Sequence, residues 1–172
     1  MSDYLQQITE GKSGLAKLIA KIPGLGDFVE RNDLRAADKL LRQTLAQRVE
    51  DERRRVNDLQ QQMLSGPGLL LLDDMERAQT QLGTFADSIR TASYGYAGLF
   101  DKVKKDSDEL TKLYEYDNQL FEHVQEVDAA LDAVQAAIDE GQGLQAAVRA
   151  FNSTARTAMD AFRRREEAMT SQ

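Results

Sequence analysis

Few side chains in this sequence are suited to acid–base or metal chemistry. There is one histidine, His123, and no cysteine, so disulfides, thiolate sites and metal sites with two histidines are excluded. Glu122 and Glu126 are close to His123 in the sequence and would form an acidic edge with it. In a heptad frame His123 lies beside the apolar seam, and we therefore interpret it as a surface or edge histidine.

Pairs of carboxylates occur where helices are expected to begin. Asp73 and Asp74 precede one apolar run, and Asp106 with Glu109 precedes another, which places negative charge where the helix dipole favours it. Neither stretch has the ligand order of a calcium loop, and the nucleotide-binding, serine-hydrolase and zinc-protease motifs do not occur. We expect no catalytic residue, metal site or cofactor, and no enzymatic activity.

The elements that position these residues are predicted to be helices. Proline occurs only at positions 23 and 67, and good helix formers dominate the composition. Clusters of glycine and proline at 23–26, 65–68, 93–98 and 141–143 interrupt the chain. They divide it into a leader over 1–31, broken at Pro23-Gly24, and a bundle over 32–172 with helices at about 33–64, 69–91, 106–140 and 144–169.

Apolar residues return every three or four positions in the last three helices, as in a coiled coil. The repeating positions hold Leu71, Met75, Ala78, Leu82, Phe85 and Ile89; Leu110, Leu113, Leu120, Val124, Val127, Leu131, Val134 and Ile138; and Leu144, Val148, Phe151, Ala155, Ala158, Phe162, Arg165 and Met169. The charged Arg165 indicates that the apolar seam frays at the end of the last helix. Because the connections are short, neighbouring helices should fold back on each other. The predicted fold is all-α, an elongated antiparallel bundle of about four main helices with coiled-coil seams, plus a short amphipathic N-terminal helix.

Asp117 interrupts the seam of the third long helix. A carboxylate at a core position is costly unless it is paired. One interpretation is that Asp117 fixes the register or the oligomeric state, or pairs with an arginine from another helix. The other is that the bundle is splayed and wet beside Tyr114 and Tyr116.

The first long helix has two local features that can be interpreted from the sequence. Asn32 is a plausible N-cap, because its side chain can accept a hydrogen bond from a free N–H of the first turn. The run EDERRR at residues 50–55 is either an anion-binding patch or a solvated face whose charges pair with each other three or four residues apart.

The leader contains an amphipathic helix at about residues 13–22, with Lys17 and Lys21 beside its apolar face. Three interpretations remain: docking on the bundle, binding to an anionic membrane surface, or insertion into a partner's groove. The candidate membrane or partner residues are Leu15, Lys17, Leu18, Ile19, Lys21, Ile22, Leu25 and Phe28. A short amphipathic leader before long helical hairpins is similar in outline to the phage-shock and plastid-vesicle type of membrane-remodelling proteins, which implies a role at membranes.

An aromatic loop, SYGYAGLF at residues 93–100, joins the second and third long helices. Its candidate binding residues are Tyr94, Tyr96, Leu99 and Phe100. Tyrosine supplies a large amphipathic contact area, which is typical of recognition loops. The alternative interpretation is that these side chains close the end of the bundle.

The charge layout bears on partners. The net charge is -7, and residues 64–143 hold most of the acidic excess, so we do not expect nucleic-acid binding. The sequence shows no secretory leader and no membrane-spanning run, which indicates a cytoplasmic protein, with a peripheral membrane location as a further hypothesis.

These observations predict a non-enzymatic structural or assembly protein. It is expected to self-associate through its coiled-coil faces, as a homo-oligomer or with another helical protein. Docking on an anionic membrane through the N-terminal helix is an additional hypothesis. The alternative is a soluble helical adaptor that binds a protein through the aromatic loop or the acidic third long helix.

Overall fold

The computed structural model describes residues 14–92 and 107–170, and in these ranges it contains helices and no strand. The α-helices are α1 (Gly14–Lys21), α2 (Leu25–Glu30), α3 (Leu34–Met63), α4 (Leu72–Thr91), α5 (Ser107–Glu140) and α6 (Leu144–Thr170), and a 3-10 helix (Gly66–Leu71) precedes α4. The prediction of an all-α fold is confirmed. None of the helices in these ranges is long and apolar enough to cross a bilayer.

Helices α3 and α4 form an antiparallel hairpin. The Arg42 guanidinium donates to the carbonyl of Ile89 near the end of α4, whereas Asn57, further along α3, accepts from Gln79 nearer the start of α4. The residue numbers therefore run in opposite directions along the two helices.

Helices α5 and α6 form the second antiparallel hairpin and pack beside the first. Helix α5 runs parallel to α3, because Arg55 contacts Asp128 and Gln62 contacts Gln135. Helix α6 packs against α4 as well as α5, so the order around the bundle is α3, α4, α6, α5.

The core lies between these four helices and follows the predicted spacing. Almost all the predicted seam residues are buried, and the Phe85 and Phe162 rings pack 5.8 Å apart between α4 and α6. Leu71, Ile138, Leu144 and Met169, at the ends of their helices, are only partly buried. Their exposure follows from position, since a terminal turn has neighbours on one side only.

Two predicted helix starts are wrong by one to three residues. Asp33, not Asn32, is the N-cap of α3, and its carboxylate accepts from Ala36 N at 3.1 Å. Asn32 instead has a positive φ of 56°, a conformation that asparagine tolerates and that turns the chain from α2 into α3. The helix predicted from residue 69 begins at Leu72, because the 3-10 helix occupies the preceding residues.

Candidate functional site

Helix α1 is docked on α5. Leu15, Leu18, Ile22 and Leu25 are at most 5% exposed and join the main core. The structure thus shows the docked interpretation of the leader. Binding of a membrane or a partner through these four residues stays a prediction that requires release of α1, because the apolar stripe that suits lipid is covered by the bundle's own apolar surface.

Both ends of α1 are held by charged side chains of the bundle. The Gly14 amide donates to Glu115 Oε1 at 2.6 Å, and Arg48 Nη2 donates to the Lys21 carbonyl at 3.0 Å. A carboxylate at the first turn and a guanidinium at the last both complement the helix dipole. A Cβ at position 14 would lie 2.9 Å from the Glu115 Cα, so glycine permits this close approach.

The remaining leader candidates lie at the edge of this contact. Lys21 Nζ donates to Asn118 Oδ1 at 3.1 Å, and partial burial lowers the pKa of Lys21. Ile19 and Phe28 are partly buried against the core, and Lys17 is exposed. Of the two lysines of α1, Lys17 is therefore the more exposed.

Asp117 is 2% exposed and paired with a cation from another helix. Arg165 Nε, on α6, donates to Asp117 Oδ1 at 2.6 Å, and the whole Arg165 side chain is 1% exposed. Arg165 also pairs with Glu166 at 3.2 Å. Of the two sequence interpretations of Asp117, the structure shows the paired one.

Asp38 extends this buried cluster to the other hairpin. Its Oδ1 lies 3.5 Å from Arg165 Nη2, and its Oδ2 accepts from Arg42 Nε at 2.7 Å. Burial raises the pKa of Asp117, although Arg165 opposes the shift. The role of Asp38 is not apparent from the sequence, because it resembles an ordinary solvated aspartate beside Ala37, which is itself buried.

A second ionic cluster joins α3 to α5 halfway along the bundle. Arg55 pairs with Glu52 at 3.3 Å, with Asp128, and with Asp132 at 2.6 Å. Burial raises the pKa of Glu52 to about 7, with a further contribution from Asp128. The EDERRR run thus pairs within itself and, through Arg55, with α5. The burial of Glu52 is not apparent from the sequence, because a charged residue is expected to face solvent. Glu52 nevertheless lies on the same face of α3 as the buried Val49 and Val56.

A basic cleft of about 260 Å³ lies between α4 and α6. Its lining residues are polar or charged: Asp74, Arg77 and Gln81 from α4, and Gln145, Arg149, Asn152 and Arg156 from α6. Arg77 pairs with Asp74 at 3.6 Å, while within residues 14–92 and 107–170 no carboxylate pairs with Arg149 or Arg156. The Gln81 Oε1 atom is enclosed and has no hydrogen-bond partner there.

Sequence analysis missed this cleft. Arg149 and Arg156 lie seven residues apart, which puts them on the same face of a helix, and that spacing was the signal available. The sequence does not show which residues lie opposite these arginines, because only the folded bundle places Arg77 and Gln81 of α4 there.

The acidic face lies on α5, where Glu122 and Glu126 are exposed. The hydrogen-bond partner of Glu122 is the Asn118 amide at 2.8 Å, and that of Glu126 is His123 Nδ1 at 2.9 Å. The His123 side chain is 23% exposed, so the edge position expected for it agrees with the structure.

The turn between α3 and α4 exposes three leucines. Leu64, Leu69 and Leu70 are 62%, 55% and 87% exposed. We call these residues the leucine tip. They lie in the turn that joins the end of α3 to the start of α4. Arg165 contacts Asp38 near the start of α3, so the leucine tip is at the opposite end of the bundle.

The predicted partner residues Tyr94, Tyr96, Leu99 and Phe100 lie outside the described residues. Within residues 14–92 and 107–170, no group of three or more histidine, aspartate and glutamate side chains is arranged to hold a metal ion. Comparison with models of protein families, with curated proteins and with solved structures gave no match.

Proposed function

We propose that this protein is a non-enzymatic assembly protein that self-associates through the outer surfaces of its helical bundle. The observation that carries the proposal is the pair of oppositely charged surfaces on one chain: the basic cleft between α4 and α6, and the acidic face of α5. Complementary potentials on different parts of one molecule favour contact between copies.

The burial of the seam residues limits which surfaces can join two folded copies. The seam residues that the sequence offers for self-association are buried within a single chain. Outer residues must therefore make any contact between folded copies, and the charges that lack an ionic partner are the natural candidates. Exposed ion pairs contribute only about 0.2–1 kcal/mol each, so this association is expected to be weak and salt-sensitive.

Sedimentation velocity over a range of protein concentrations tests the proposal. At low ionic strength the average mass should rise with concentration, and at about 0.5 M NaCl the chain should sediment as a monomer because salt screens surface charges. A monomer at every concentration and salt level would refute self-association.

Membrane docking through α1 is a further part of the proposal, and it requires release from α5. Lipid reaches the apolar face of α1 only if the contacts at Glu115 and Arg48 open. The Gly14→Ala variant is designed to weaken this docking, and flotation with anionic vesicles should then recover more of the variant than of the native chain. Equal recovery of both, with α1 shown to be released, would exclude lipid binding by this helix.

The second candidate function is the soluble adaptor, which the leucine tip favours. Exposed apolar side chains concentrated at one turn are typical of protein-binding surfaces. Replacing Leu69 and Leu70 with serine should abolish capture of a partner that binds there. If a purified partner is bound equally by the variant, the tip is not its binding site, and the aromatic loop or the acidic α5 becomes the candidate.

A further inference from the structure

We propose that the basic cleft of one copy binds the acidic face of α5 on the next copy, with Arg149 and Arg156 pairing with Glu122 and Glu126. This inference rests on the proposed self-association and names its interface. It commits to a second copy of this chain as the occupant of the cleft.

The spacing of the arginines favours a helix over a small anion. Seven residues of α-helix rise about 10 Å, so the bases of Arg149 and Arg156 are separated by far more than the oxygens of one phosphate or carboxylate group. Glu122 and Glu126 are separated by about 6 Å along α5. The flexible arginine side chains can bridge the difference, and each guanidinium then meets a separate carboxylate.

The chain's own α5 does not fill the cleft. The cleft is lined by α4 and α6 alone, while α5 packs on α6 through other residues, among them Asp117. Arg149 and Arg156 thus have no carboxylate partner within the described residues, whereas Arg77 of the same cleft pairs with Asp74. A carboxylate from another molecule supplies the missing partner.

The floor of the cleft has the same deficiency. The Gln81 amide oxygen is enclosed without a hydrogen-bond partner, and an enclosed polar atom is costly until it finds one. An arriving α5 brings the exposed Gln119 and Gln125 beside its two glutamates. Their amide N–H groups can donate to the Gln81 oxygen once the Gln81 side chain turns toward the cleft.

The contact has a direction, because it joins two different surfaces. Each copy has one cleft and one acidic face, so association is head-to-tail. A copy that lacks a working cleft can still be bound through its acidic face, and the reverse holds for a copy that lacks the face.

Mixing two complementary variants tests this. Arg149→Ala/Arg156→Ala removes the two α6 arginines of the cleft, and Glu122→Ala/Glu126→Ala removes the two glutamates of the acidic face. In sedimentation velocity at low salt, each variant alone should associate about 2- to 30-fold more weakly than the native chain, because two surface ion pairs of about 0.2–1 kcal/mol each are lost. An equimolar mixture of the two should recover a 1:1 complex.

Matched controls separate a specific contact from a change in net charge. Arg35→Ala/Arg54→Ala and Glu30→Ala/Asp58→Ala make the same charge changes at other exposed positions, and both should associate like the native chain. Circular dichroism and urea unfolding confirm that every variant is folded.

The outcomes separate this inference from the function on which it rests. A native chain that stays monomeric refutes both. A native chain that associates while either cleft or face variant does so equally well, or while the mixture gives no complex, overturns this interface and leaves self-association standing.

Discussion

Arg165 is a cation placed almost wholly inside an apolar core. It is balanced by Asp117 on α5, by Asp38 on α3 and by Glu166 on its own helix. Desolvating such groups costs several kcal/mol per ion, so the cluster is weak evidence for added stability. Its geometry instead ties three helices to one relative position, since a shift of α6 by one turn would leave the buried Asp117 unpaired and would separate Arg165 from Asp38.

Replacing Arg165 with methionine should destabilise the protein by about 3–5 kcal/mol, because breaking a buried pair leaves an uncompensated buried charge. The double variant Arg165→Met/Asp117→Leu should recover much of that loss. Urea unfolding monitored by circular dichroism measures both. A single variant within about 1 kcal/mol of the native chain would contradict the role assigned to this cluster.

The raised pKa of Glu52 predicts that its contribution to the free energy of unfolding falls as the pH rises, which is opposite to the effect of a carboxylate whose pKa is lowered on folding. Its pKa is raised from 4.5 to about 7 in the folded protein, so its stabilising contribution is complete below about pH 4.5 and is lost as the pH rises through about 7. Glu52→Gln should therefore raise the free energy of unfolding by about 1–3 kcal/mol at pH 8, and by much less at pH 5.

The matched control for this effect is Glu76→Gln, an exposed glutamate on α4. Its free energy of unfolding should track that of the native chain across the same pH range. A gain from Glu52→Gln that is equal at pH 5 and pH 8 would show that ionisation of Glu52 is not the cause.

At the scale of elements, apolar spacing was sufficient to predict the four long helices. Their observed ends differ from the predicted ones by no more than three residues. The largest difference is at the start of α4, where a Cβ at Gly68 would lie 2.9 Å from Met63 Cβ. Glycine at position 68 permits this close approach within the turn, and residues 66–71 form a 3-10 helix before α4 begins. The apolar spacing did not distinguish these two kinds of helix.

The docking of α1 was left open by the sequence for a physical reason. An apolar stripe with flanking lysines has the same composition whether it covers a core or lies on lipid. The deciding features are Glu115 and Arg48, which lie far along the chain and meet the ends of α1 only in the fold. The basic cleft was missed for the same reason, because Gln81 and Arg149 are brought together by packing.

Gly14→Ala should loosen α1 without unfolding the bundle. The added Cβ would lie 2.9 Å from backbone atoms of α5, a distance that forces the helix away from its site. Hydrogen exchange should show faster exchange of the α1 amides and unchanged exchange in α3 to α6. Gly26→Ala is the matched control, because its Cβ would lie an ordinary 3.5 Å from Ile19, and it should leave α1 protected.

The whole molecule has two unlike ends. One contains the buried cluster of Arg165, Asp117 and Asp38, where three helices are tied together by charge. The other contains the leucine tip, whose side chains contribute little to the core because they are largely exposed. The buried ionic cluster and the exposed leucines thus lie at opposite ends of the described bundle.

Replacing Leu70 with serine should change the free energy of unfolding by no more than about 0.5 kcal/mol, since surface substitutions have small effects. Leu41→Ala should cost about 2–5 kcal/mol, because Leu41 is 1% exposed in the core. Thermal and urea unfolding distinguish these outcomes. A large loss from Leu70→Ser would show that the tip is packed against something in the free protein.

The order in which the cluster's members are synthesised has a consequence for biogenesis. Translation produces Asp38 and Asp117 before Arg165, which follows Asp117 by 48 residues. A nascent chain that ends between Asp117 and Arg165 has the Asp117 carboxylate at a core position and lacks the cation that balances it, whereas Asp38 already has Arg42. We therefore expect the partial bundle to stay open on the ribosome until the last hairpin is made, which leaves its apolar faces accessible to chaperones during that interval.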